Sequence, residues 1–204
     1  REHAIIERII HNSKGPFPGE SLKSVFREIF SATLALEKPL RIGFLGPETT
    51  FSHQAAIKQF GHSSEFIPNP DIESIFRQVE QDNCDYGVVP VENSIEGVIN
   101  LTLDCFVDSP LLICGETKNT ISLYLLSKNK NRKKITAIYS HPQPLGQCRQ
   151  WLNRYLPSID QISTSSTASA AEAVVKKRTS AAIAGKLAAD AYNLNIIAEN
   201  IQDR

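Results

Sequence analysis

From Leu40 to Ala198, short apolar runs alternate with stretches whose apolar residues recur every three to four positions. That alternation restricts the fold more than any other feature of the chain. Leu40-Arg41-Ile42-Gly43-Phe44-Leu45, Phe66-Ile67 and Tyr86-Gly87-Val88-Val89-Pro90-Val91 read as buried strands. So do Leu111-Leu112-Ile113, Thr120 to Leu126, Ile135 to Tyr139, Ala181-Ala182-Ile183-Ala184 and Asn195-Ile196-Ile197-Ala198. Helices are predicted over Ser52 to Phe60, then from an Asp71 cap through Ile72, Ile75, Phe76 and Val79. Others are predicted over Val98 to Phe106, Leu145 to Tyr155, Ala168 to Lys177 and Lys186 to Tyr192. Strands separated by helices imply an α/β fold with largely parallel sheets.

The first 37 residues follow a different rule. Ala4, Ile5, Ile6, Ile9 and Ile10 recur at helical spacing until Gly15, Pro16 and Pro18 break the pattern. A second helix follows, with Ser21 a plausible N-cap and Leu22, Val25, Phe26, Ile29, Phe30 and Thr33 on one face. Two short helices bury little by themselves, so this pair needs a partner helix or a second chain. Lys38-Pro39 ends it.

Charge and cysteine usage exclude several function classes. Lys+Arg and Asp+Glu are both 22, so no excess charge attracts nucleic acid or an anionic membrane. Cys84, Cys105, Cys114 and Cys148 form no CxxC pair and have no His at ligand spacing, which argues against zinc and against a disulfide framework. A reducing, cytoplasmic compartment is the plain reading. The residues after Arg1 form no signal-like apolar core, and no apolar run is long enough to span a bilayer. The cationic run from Lys128 to Lys134 reads as a solvated turn.

Four polar segments stand just after strands, where open α/β sheets bind ligands. Gly46-Pro47-Glu48-Thr49-Thr50-Phe51-Ser52-His53 joins a strand to a helix; it suits an anion at a helix N-terminus, or Thr50 or Ser52 is only the cap. It is no Walker loop, lacking the lysine and the glycine spacing. Pro90-Val91-Glu92-Asn93-Ser94-Ile95-Glu96-Gly97 is either a set of polar donors or a turn closed by its own side chains. Glu92 could serve as a general acid if burial raised its pKa. In Tyr139-Ser140-His141-Pro142-Gln143-Pro144, His141 is a proton carrier or a hydrogen-bonded structural group. Ser140-His141 makes no hydrolase triad, because no nucleophile elbow accompanies it. In the run from Ser163 to Ala171, one hydroxyl caps a helix and the others are free for an anion.

Taken in order, these segments resemble the prephenate dehydratase domain along residues 40–203. The matching elements are Gly46-Pro47 with Thr50-Phe51-Ser52, then Pro90-Val91-Glu92-Asn93-Ser94 with Gly97, Gly115-Glu116 and Ser140-His141-Pro142-Gln143. Ser166-Thr167 with Ala170-Ala171, then Ala181 to Ala184, and Asn200-Ile201-Gln202-Asp203 complete the series. Thr49 stands where that family usually has glycine, so either the loop avoids positive φ or the turn differs locally. Residues 1–37 resemble the end of the helical chorismate mutase domain: Arg1-Glu2 matches its Arg-Glu pair and Glu37 its late Gln/Glu position.

The resemblance implies a two-lobed α/β dehydratase domain over 39–204, similar to type II periplasmic binding proteins and preceded by a partial mutase segment at 1–38. It places the first lobe at about 40–118 plus 195–204 and the second at about 119–194. The implied reaction is loss of carbon dioxide and water from prephenate to give phenylpyruvate, in phenylalanine biosynthesis and without metal or redox cofactor. The parent of such a chain would also act on chorismate. The implied substrate donors are Thr50, Ser52, Asn93, Ser94, Gln143 and Thr167, with Glu92 and His141 as proton-transfer candidates. The family carries a Thr-Arg-Phe motif shortly beyond its Asn-Ile-Gln-Asp segment, and a regulatory domain after it. These 204 residues stop at Arg204, so impaired dehydratase and little mutase activity are expected of them alone. Alternative readings are an arogenate dehydratase and a non-catalytic two-lobed module for small anions. A homodimer is expected from the uncovered apolar face of the first two helices.

Overall fold

The computed structural model describes residues 2–94 and 97–203, without the side chains of Glu2 and His3. The Arg1 and Glu2 side-chain expectations therefore lie outside the described residues, as do Ile95 and Glu96 of the second polar segment. The chain forms two compact α/β units. One contains the residues up to Leu45 with Ala55–Thr117, the other Gly46–Gln54 with the residues from Lys118 onward. No described helix is long and apolar enough to cross a membrane.

The first unit begins with α1 (Glu2–Asn12) and α2 (Gly19–Glu37). Ser21 lies inside α2, whose N-cap is Pro18 with no side-chain cap bond, so the expected Ser21 cap is not formed. Proline fits there because no backbone N–H is required of it. Strand β1 (Arg41–Leu45) follows, then α3 (Phe51–Phe60), of which the part from Ala55 belongs to this unit, β2 (Glu65–Asn69), α4 (Ile72–Glu80) and β3 (Tyr86–Val88). The sheet runs β2-β1-β3, all parallel, with Ile42 and Phe44 of β1 fully buried. The α4 helix starts where the pattern put it: Asp71 Oδ1 accepts from the Ser74 N–H at 2.7 Å. It lays Ile72, Ile75 and Phe76 on the sheet. A Cβ on Gly87 would stand 2.7 Å from Ile75 Cγ2, so β3 approaches α4 only because residue 87 is glycine. A two-residue hairpin, β4 (Glu92–Asn93) with β5 (Gly97–Val98), leads into α5 (Asn100–Asp108).

The α2 helix is tied to the C-terminal end of α3. Arg27 Nη1 donates to the Lys58 and Gln59 carbonyls at 3.0 and 2.7 Å, satisfying acceptors that a helix end leaves open. Glu28 accepts from the His62 N–H at 3.1 Å, and its other oxygen lies 2.8 Å from the His62 ring.

The second unit holds a five-stranded sheet in the order β10-β6-β9-β7-β8. Its strands are β6 (Tyr124–Ser127), β7 (Ala137–Ser140), β8 (Asp160–Ser163), β9 (Ser180–Ala184) and β10 (Asn195–Ala198). β8, β7 and β9 are parallel; β6 runs against β9 and β10 against β6, so the sheet is mixed. Its helices are α6 (Pro142–Gln147), α7 (Arg149–Tyr155), α8 (Thr167–Val174) and α9 (Lys186–Ala191). All five residues of β9 are buried. Their small side chains let Ala170, Ala171 and Val174 of α8 pack closely on the sheet. On the other face Leu123, Leu125, Ile138, Leu152, Ile183 and Ile201 form a core at 0–1% exposure. Full burial of one such side chain is worth about 1.5–3 kcal/mol.

Three further expectations change. Residues 195–204 were expected with the first lobe. Instead β10 pairs with β6, Ile201 fills the core beside Leu123, and Asp203 accepts from the Gln150 and Trp151 N–H groups at the start of α7. The Leu111–Ile113 segment forms no strand: Leu112 and Ile113 are 89% and 72% exposed, and among the described residues no strand pairs with it. The predicted helix over Leu145 to Tyr155 is two, α6 and α7, meeting at Cys148.

Candidate active site

Two of the four polar segments follow the carboxyl ends of β7 and β8, and a third meets Gly185, just past the end of β9, through Phe51. β7 ends at Ser140, whose buried hydroxyl donates to the Ile183 carbonyl at 2.7 Å and couples β7 to β9. His141 is the N-cap of α6: its Nδ1 accepts from the Gln143 N–H at 3.4 Å. A ring whose Nδ1 accepts carries its proton on Nε2 when neutral. Gln143 is therefore fixed through its backbone, while its side-chain Nε2 is buried without a hydrogen-bond partner among the described residues. An amide left so costs about 1–3 kcal/mol, the pattern of a group kept for a ligand.

Next to β7, β8 leads into α8. Ser166 is the cap, its Oγ accepting from the Ser169 N–H at 2.9 Å. That assigns the structural role in the hydroxyl run to Ser166. Thr167, the first helical residue, is only 7% exposed. Ser165 and Ser166 hydroxyls both bond Ser169, so neither is free.

The Gly46–Gln54 segment belongs to this unit. Asn119 Nδ2 donates to the Phe51 carbonyl at 3.3 Å, and the Phe51 ring stands where a Cβ on Gly185, at the start of α9, would meet it at 3.1 Å. Thr50 acts as a cap, its Oγ1 accepting from the His53 N–H at 3.3 Å, and Ser52 sits in the first turn of α3. Thr49 has φ 67°, so the positive φ survives although the residue is β-branched. Of the two readings of this substitution, the one in which the loop avoids positive φ is wrong. Among the described residues, the buried Thr49 hydroxyl has no hydrogen-bond partner of good geometry. Tyr192 lies near it; burial, then the Glu172 and Glu48 charges, raise the phenol pKa, and the Thr49 hydroxyl opposes them.

His53 is not among the residues that the motif pattern singles out, and the signal available is the Ser52-His53 pair itself. Its Nδ1 accepts from the Thr49 N–H at 3.0 Å. Burial lowers its pKa, against a smaller opposing pull from Glu48. The imidazole is thus neutral at pH 7, with its proton on Nε2.

In the first unit the remaining segment forms the β4–β5 hairpin, pinned where the fully buried Thr102 hydroxyl donates to the Pro90 carbonyl at 2.7 Å. Asn93 is half-buried and pairs with Gly97, which has φ 83°. Glu92 and Ser94 are exposed. The burial on which a general-acid role for Glu92 depends is absent. Glu37, at the end of α2, is also exposed. Among the described residues no cluster of His, Cys, Asp and Glu has the arrangement to hold a metal ion.

The family model described as prephenate dehydratase matches residues 42–204. The chain belongs to the prephenate dehydratase family. A bifunctional chorismate mutase/prephenate dehydratase of Aquifex aeolicus is 46% identical over 207 residues, covering 100% of this chain and 57% of that protein. The prephenate dehydratase of Lactococcus lactis (strain MG1363) is 38% identical over 167 residues, covering 80% of this chain and 59% of its own. The solved prephenate dehydratase of Arthrobacter aurescens, in complex with L-Phe, has a TM-score of 0.72 at 31% identity, covering 81% of this chain and 56% of that one. The chain thus spans a little over half the length of the curated relatives it matches. The segment ahead of residue 42 lies outside the prephenate dehydratase model yet aligns with the bifunctional relative.

Proposed function

We propose that this chain is the dehydratase part of an enzyme that converts prephenate to phenylpyruvate, and that the full-length protein also isomerises chorismate to prephenate. Family membership supports the first statement, and the alignment of the segment before residue 42 with bifunctional relatives supports the second. The observation that carries the reading within the fold is Gln143: a half-buried residue, held by its backbone, whose buried Nε2 has no partner among the described residues.

In the proposed reaction the bond from the ring to its carboxylate breaks and carbon dioxide leaves. The bond pair enters the ring, the ring hydroxyl departs as water after taking a proton, and the product ring is aromatic. The protein must hold anionic groups in place, supply that proton and exclude solvent. Thr50, Ser52, Gln143 and Thr167 of the second unit, and Asn93 and Ser94 of the first, are the proposed donors. His141 is preferred to Glu92 for proton transfer, because its Nε2 carries a proton when Nδ1 accepts from Gln143. The proposed setting is the cytoplasm.

A homodimer belongs to the same proposal. Phe17, Val25, Ile29 and Leu36, on or just before α2, are 53%, 47%, 48% and 88% exposed, which supports a covering partner. Sedimentation of the full-length protein as a monomer at micromolar concentration would contradict it.

Parallel turnover of prephenate and arogenate by the full-length protein tests the substrate assignment. A higher kcat/KM for prephenate is expected; preference for arogenate would replace the substrate while leaving the site in place.

A further inference from the structure

The cationic turn of the second unit does not stand alone. Lys128, Asn129, Lys130 and Lys134 face Val175, Lys176 and Arg178 across a concavity of about 840 Å³. Among the described residues, five Lys and Arg side chains line it and no Asp or Glu does. In a chain with no net charge, this is a local concentration of positive potential that the sequence total conceals. It lies at the end of the sheet where β9 begins and β6 ends, opposite the strand ends that carry His141 and Thr167.

Hydrogen bonds hold the walls in place, and of the lining cations Lys128 takes part in them. Lys128 Nζ donates to the Tyr192 and Asn193 carbonyls at 3.0 and 2.7 Å. Ser127 Oγ donates to the Ser180 carbonyl at 2.8 Å, joining the two segments at their roots. Asn129 Oδ1 accepts from the Asn131 N–H and Asn131 Oδ1 from the Lys133 N–H, at 2.9 and 3.0 Å. The Arg132 guanidinium lies 5.3 Å from the Tyr155 ring centroid and 6.0 Å from that of Trp151, which fastens the turn to α7. Among the described residues, the side chains of Lys130, Lys134, Lys176 and Arg178 have no ion-pair or hydrogen-bond partner.

We propose that this concavity is a binding site for a small polyphosphate anion, distinct from the candidate active site. Several like charges from two fixed segments match a ligand carrying more than one phosphate group, since each group can meet its own cation. The open concavity has room for a phosphate chain. An attached organic group can rest on Val175.

Calorimetric titration of the full-length protein with inorganic pyrophosphate, in phosphate-free buffer at 0.15 M salt, tests this. One site per chain is expected, binding pyrophosphate at least tenfold more tightly than orthophosphate. Lys176→Ala with Arg178→Ala should weaken it at least tenfold, while Lys14→Ala with Lys23→Ala, in the first unit, should leave it unchanged. Adenosine diphosphate binding as well as pyrophosphate would assign recognition to the phosphate chain alone; tighter binding would add the attached group. Absence of saturable binding, or binding that survives the Lys176/Arg178 change, would overturn the proposal. So would capture of an RNA oligonucleotide or an anionic vesicle that pyrophosphate does not displace. None of these outcomes depends on turnover of prephenate.

Discussion

The backbone N–H of Thr49 donates to Nδ1 of His53 at 3.0 Å, and the loop that makes this bond holds Thr49 at φ 67°. A β-branched residue is costly there, by roughly 1–2 kcal/mol. The bond fixes the His53 tautomer, and burial keeps the ring neutral.

A pH dependence follows. The folded pKa of His53 lies below its ordinary 6.5. Above that value the ring is neutral in both states and contributes no slope. As pH falls through 6.5 the unfolded chain binds the proton first, so stability decreases until pH passes below the folded pKa. Urea denaturation between pH 7.5 and 5 should show this loss, and His53→Gln should remove it. An unchanged slope in the variant would assign it to other groups.

Gln143 separates stability from function. Its Nε2 has no partner among the described residues to lose, so Gln143→Leu should leave the fold as stable or raise its stability, by up to about 1–3 kcal/mol. The same change should lower kcat/KM for prephenate by about 100-fold if the amide meets developing charge in the transition state. Loss of stability with retained turnover would make Gln143 a structural residue.

Gly61 tests the attachment of α2. It has φ 78°, and a Cβ there would stand 2.5 Å from Ser31 Cβ. Gly61→Ala should cost about 1–3 kcal/mol, through the left-handed backbone and the clash together. Ser31→Gly in the same chain should recover the part due to the clash, read from thermal or urea unfolding.

The four cysteines should differ in reactivity. Burial pushes the Cys148 thiol up to about 12, with the Asp203 charge adding to it, and Cys148 is fully buried. Cys84 is buried, Cys105 half-buried and Cys114 exposed. Native protein should react with a thiol reagent first at Cys114, while Cys84 and Cys148 wait for unfolding. Mass spectrometry of partly labelled protein reads the order.

The legible parts of the fold are those where one local rule decides. Asp71 and Ser74 make the cap that their spacing predicts, and Ile72, Ile75 and Phe76 bury the face that their periodicity predicts. The all-buried Ala181-Ala182-Ile183-Ala184 forms the central strand. β8 was not legible, because it is an edge strand whose four residues are all exposed and show no apolar alternation. Leu111-Leu112-Ile113 misleads in the opposite way: its residues suit a strand, but a strand needs a neighbour, and its exposure shows none. In the candidate site, Gln143, Thr167 and His141 stand at strand ends as motif order suggests. The state of Glu92 was not legible, because exposure is a property of packing rather than of the Pro-Val-Glu-Asn-Ser pattern. The turn at Thr49 was not either, since threonine at positive φ is held by its surroundings, against its own preference.

The most direct test is conversion of prephenate by the full-length protein, following carbon dioxide and phenylpyruvate together, with Gln143→Leu in parallel. Equal amounts of the two products from wild type, with about 100-fold less from the folded variant, are the predicted result. No phenylpyruvate from a folded wild-type protein, or equal rates from both proteins, would contradict the account.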